Sequence, residues 1–93
     1  MATYQAVIMH GTRGGEGRYE FSGPPDLFDR TPLDVMRALM DHVEEHAHIG
    51  HIRYEANAAL KNESAEVVTV LGQLHFEKDG AQPFMCMINP KRS

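Results

Sequence analysis

The stretch TPLDVMRALMDHVEEHAHIG, residues 31–50, decides the fold, because it carries the chain's clear helical period. Thr31 suits an N-cap, Pro32 suits the first helical position, where no N–H is needed, and Asp34 sets a carboxylate beside the exposed first-turn amides. At about 100° per residue, Leu33, Met36, Leu39, Met40, Val43 and Ala47 share one face, with Asp34, Arg37, Asp41, Glu44 and Glu45 opposite. Gly50 offers a left-handed stop, so one amphipathic helix from about Thr31 to His48 is expected.

The segments on either side have period two. Tyr4 to Met9 alternates, Gly11 to Gly17 makes a hairpin tip, and Arg18 to Ser22 alternates again until Gly23-Pro24-Pro25-Asp26 stops it and opens a loop to Arg30. After the helix, His51 to Lys61 puts Ile52, Tyr54, Ala56, Ala58 and Leu60 on one side and Arg53, Glu55, Asn57, Ala59 and Lys61 on the other. Asn62 to Ala65 is a polar turn, Glu66 to Glu77 a longer strand, Lys78-Asp79-Gly80-Ala81 a hairpin signal, and Pro83 to Asn89 the last strand. The expectation is a single α+β domain over residues 1–93. It is a two-layer sandwich of order ββαβββ, with a mainly antiparallel five-stranded sheet and one helix on one face.

Composition narrows the function classes. A chain of 93 residues buries only about 60 to 65% of the surface its unfolded form exposes, which favours a second copy as a source of burial. Its net charge of −4, with Lys and Arg scattered apart from the adjacent Lys91 and Arg92, provides no basic face for a phosphate backbone, so no nucleic-acid partner is expected. Residues 1–5, MATYQ, have no basic region and no following apolar run suited to a signal peptide or membrane span. With the lone Cys86 excluding an internal disulfide, a cytoplasmic setting without membrane contact is expected.

Three-residue turns near Ser64 and Gly80 would align Tyr54, Leu74 and Cys86 beneath the helix, and Ile52 with Phe76 and Phe84. The opposite face then carries Arg53, His75 and Met85 in one row and Glu55, Gln73 and Met87 in the next, with Leu71, Thr69 and Val67 beyond. Val7 and Met9 belong to either face. A single helix is about 10 Å wide, whereas five strands span more than about 20 Å, so apolar side chains remain uncovered. Val67, Leu71, Met85 and Met87 are therefore the expected interface of a homodimer or other homo-oligomer. The competing arrangement has the sheet curl so that the loop Gly23 to Arg30, with Leu27 and Phe28, covers these residues.

Candidate chemistry is sparse. His75, Glu55 and Arg53, with Gln73 beside them, form the polar group that strand pairing places together, suited to acid/base work or to an anionic ligand. Arg13 and the amides of the Gly-rich loop are a further candidate ligand contact, although the loop lacks GxxxxGK and a following helix. No metal site and no cofactor are expected; His42 and His46, one helical turn apart, are the candidates if there is a metal. His42-Val43-Glu44-Glu45-His46 resembles the HxxEH motif of the inverzincin peptidases over five residues. That family carries its motif in a much larger catalytic domain with a third ligand from a downstream helix, and no second helix is read here. With His48 and His51, the same histidines would titrate between about pH 5 and 8 and could serve as a switch. Cys86, among methionines, reads as a buried structural thiol. Two functions stay open: a self-associating binding module, with a protein or small molecule as further partner, and a small enzyme or ligand binder using His75, Glu55 and Arg53 or the space under the loop Gly23 to Arg30.

Overall fold

The structure, a computed structural model, describes residues 1–11, 15–46, 53–76 and 80–91. Five strands, β1 (Ala2–His10), β2 (Gly15–Gly23), β3 (Arg53–Asn62), β4 (Val67–Phe76) and β5 (Gly80–Pro90), form one antiparallel sheet ordered β2-β1-β5-β4-β3. One helix, α1 (Pro32–His46), packs on one face, so the chain is the expected α+β sandwich. The β1–β2 hairpin joins the β3-β4-β5 meander through β1 and β5. This leaves β2 and β3 as the two edges, and the chain crosses the sheet through α1 to travel between them.

The core lies between α1 and the sheet. Val35, Met36, Leu39, Met40 and Val43 from the helix meet Ala6, Ile8, Val68, Val70, Cys86 and Ile88 from the central strands. Leu33, expected in the apolar stripe, is instead 49% exposed. The stripe centres near Met36, Leu39 and Val43, leaving Leu33 at its margin in the first turn while Val35 is fully buried. The expected helix end at His48 and Gly50 lies outside the described residues.

The helix start is closed reciprocally. Asp34 N donates to Thr31 Oγ1 at 3.2 Å, and Thr31 N donates to an Asp34 carboxylate oxygen at 3.3 Å. This is a capping box with Asp in place of Glu. Thr31→Ala should cost about 1 kcal/mol, read in a thermal melt as a fall of about 4–8 °C.

Two features of the sheet differ from expectation, and a third decides between the two arrangements of the loop. First, the β3–β4 turn holds four residues, 63–66, with Glu66 at φ 53, and a bulge between Ala56 and Ala58 absorbs the extra residue. The expected pairs Arg53 with His75, Tyr54 with Leu74 and Glu55 with Gln73 hold. Beyond the bulge the faces exchange, so Ala59 and Lys61 turn toward the helix side, while Ala58 and Leu60 join the opposite face.

Second, the pairing of β4 with β5 is displaced by four residues. Leu71 pairs with Met85 and Thr69 with Met87, where His75 with Met85 and Gln73 with Met87 were expected. Phe76 pairs directly with Gly80, which adopts φ 73, so the pairing of the two strands is centred two positions earlier than expected. An even displacement keeps every side chain on its face.

Third, residues 24–30 cover the helix side and not the opposite face. Leu27 is buried in the core, and Phe28 stacks on Tyr4 at 5.6 Å with the rings 3° from parallel. Tyr4 also stacks on Phe21 and donates its hydroxyl to the Pro24 carbonyl, which anchors the loop to β1. The Lys61 ammonium reaches the Phe28 carbonyl from β3. The competing arrangement, in which Leu27 and Phe28 shield the far face, is thereby replaced.

Candidate interaction face

With the registers fixed, the face away from α1 is read row by row from β2 to β3. One row is Arg18, Val7, Met87, Thr69 and Leu60; the next is Glu16, Met9, Met85, Leu71 and Ala58. From β1 to β3 the two rows are apolar except for Thr69, and they are charged only at β2. Toward the β3–β4 turn follow Glu20, Gln5, Asn89, Val67 and Asn62; toward the other end lie Pro83, Gln73 and Glu55, then Ala81, His75 and Arg53.

Three large apolar side chains on this face are open to solvent: Leu60 at 67%, Leu71 at 42% and Met87 at 38%. Val7, Met9, Val67 and Met85 are half-buried by their neighbours in the sheet. The sequence identified Val67, Leu71, Met85 and Met87, left Val7 and Met9 undecided, and assigned Leu60 to the wrong face. The bulge that moves Leu60 has one cue, Asn57, a residue type depleted in strands, set among alanines.

Charge lies at the margins. Arg18 pairs with Glu16 at 2.9 Å along β2, and Lys91 with Glu20 at 2.8 Å; all four are substantially exposed, so each pair contributes little to stability. At the far corner, His75 Nε2 is 3.8 Å from a Glu55 carboxylate oxygen, an ion-pair distance but too long for a hydrogen bond. Arg53 and Gln73 are direct cross-strand neighbours of this pair, so the structure brings the four polar candidates together at one corner. Met85 and Met87 sit two and more rows away from His75. Arg13 lies outside the described residues.

On the helix side, the imidazoles of His42 and His46 stack with centroids 4.2 Å apart, and His46 Nδ1 lies 3.0 Å from the His42 carbonyl oxygen. Burial, then the neighbouring His46, holds the His42 pKa below its ordinary value. Among the described residues no group of three or more His, Cys, Asp or Glu side chains could hold a metal ion. His48 and His51 lie outside them.

A cleft of about 380 Å³ opens under residues 24–30, walled by Tyr4, Pro25 and Phe28 and rimmed by Asp29, Lys61, Glu63 and Glu66. Its aromatic wall and surplus of carboxylates suit a small organic cation. Burial holds the Tyr4 phenol above its ordinary value of 10.0.

Cys86 is fully buried under α1, and burial pushes its thiol from an ordinary 9.0 up to about 12. Native protein should leave a thiol reagent unreacted at pH 8, with labelling only at the rate of unfolding. In the unfolded chain the thiol ionises first. Stability should therefore fall between pH 9 and about 12, at up to about 1.4 kcal/mol per pH unit from this group, measurable by denaturant titration.

No family model matches the chain, and no curated protein or solved structure is significantly similar to it. Among the described residues no helix is long and apolar enough to cross a membrane.

Proposed function

We propose that this protein is a self-associating interaction module whose uncovered sheet face receives a second copy of the same chain. The observation that carries this reading is the continuous apolar band from Val7 and Met9 on β1 through Met85 and Met87 to Leu71 and Leu60, with nothing of the described chain above it. Five strands at about 4.8 Å spacing and nine residues at about 3.3 Å rise make a face of about 700 Å². A stable interface takes about 800 Å² from each partner, so the face is of the right size. Its composition also fits, with Met and Leu at the centre and charge at the rim.

Methionine oxidation tests this without altering the chain. Met85 and Met87 should oxidise several-fold more slowly at high micromolar than at submicromolar concentration, while Met1, 90% exposed, should react equally at both. Equal rates for Met87 at the two concentrations would defeat the proposal.

A second reading, a binder of small organic cations, is favoured by the cleft beside Phe28. Thermal shifts with primary amines, absent with matched carboxylates, would support it.

A further inference from the structure

The geometry points to one arrangement of the two copies: their sheets stack with a two-fold axis running across the strands, between the row of Met87 and the row of Met85, so that β2 faces β2. This rests on the reading of the open face as a self-association surface. Two identical faces with aligned strands stack in one of two ways, about an axis along the strands or an axis across them.

An axis along β5 keeps each row and exchanges the edges. Arg18 would then face Leu60 of the second copy and Glu16 would face Ala58, which desolvates two charges per copy against apolar side chains. An axis across the strands keeps each column and exchanges the rows. Arg18 then faces Glu16 of the second copy, Val7 faces Met9, and Met87 faces Met85, so apolar meets apolar and positive meets negative.

The internal Arg18 to Glu16 pair at 2.9 Å becomes, in that dimer, half of a ring of four alternating charges around the axis. At the opposite corner, the same operation carries the 63–66 turn, with Glu63, toward Arg53 of the second copy. Opposite charges thus meet at each margin under the axis across the strands, where Glu55 faces the neutral Asn62 and Val67 faces Gln73, and neither set of charged partners meets under the other axis.

Exchange of charge between chains tests the arrangement. Arg18→Glu leaves four acidic groups in the ring and Glu16→Arg leaves four basic ones, so each variant alone should self-associate at least ten-fold more weakly than the parent by sedimentation. An equimolar mixture of the two should recover the parent's association as a mixed dimer, because acidic β2 then faces basic β2. Thermal melts of each variant check that the exposed substitutions leave the fold intact. A dimeric parent whose variants are unaffected, or whose mixture fails to recover, overturns the arrangement while leaving the self-association surface standing. A monomeric parent removes both.

Discussion

Gly72→Ala should lower the melting temperature by more than about 12 °C, a loss of at least about 3 kcal/mol in a domain of this size. Gly72 pairs with Ala56, immediately before the β3 bulge, where the edge strand bends onto β4. A Cβ added there would overlap the Glu55 carbonyl oxygen and come within 3.0 Å of the Phe84 ring. The first of these atoms is backbone and the second belongs to a buried ring, so neither can yield without moving β3 or opening the core. Gly80→Ala is the control. Gly80 has φ 73, and among the described residues nothing lies within 4 Å of a Cβ added there, so the expected cost of alanine is the left-handed penalty of about 1–2 kcal/mol. Thermal unfolding of the two variants side by side separates collision from conformational preference; equal losses would show that the bulge does not press on β4.

Met87→Asp should weaken self-association by at least about 100-fold, equivalent to about 2.7 kcal/mol. Met87 lies at the middle of the band, paired with Val7 on one side and Thr69 on the other, and in the proposed dimer two-fold symmetry would place two new carboxylates in the interface. An unpaired carboxylate in a desolvated interface costs far more than the lost methionine contacts. In the isolated chain the same side chain is 38% exposed, so monomer stability should change by less than about 1 kcal/mol. The two readouts, sedimentation and chemical denaturation, are therefore expected to diverge for this variant.

The fold was legible because its decisive signals are local. The cap at Thr31, the prolines at Pro24 and Pro25, and the alternation of each strand depend on near neighbours in the chain. Registers were less legible, since they depend on where turns centre. Lys78-Asp79-Gly80 permits two centres, and the chain uses the one that gives Gly80 a positive φ at the first position of β5. The bulge had Asn57 as its one cue, too weak to place it, because alanines on both sides give strict alternation and its interruption nearly equal burial. Faces survived the register error on β5 because the displacement is even, and failed for Leu60 because a bulge is odd. The neighbourhood of β1 and β5 is a non-local choice that no short-range pattern announces, and it settles the place of Val7 and Met9. Of the polar candidates, His75, Glu55, Arg53 and Gln73 were found together because β3–β4 pairing alone assembles them.

Sedimentation equilibrium of the unmodified chain from submicromolar to high micromolar concentration tests the central claim most directly. A second copy on the open face predicts a weight-average mass rising with concentration toward twice the 10.4 kDa of the chain, and held at the single-chain value by Met87→Asp. A mass of 10.4 kDa across the whole range would contradict it.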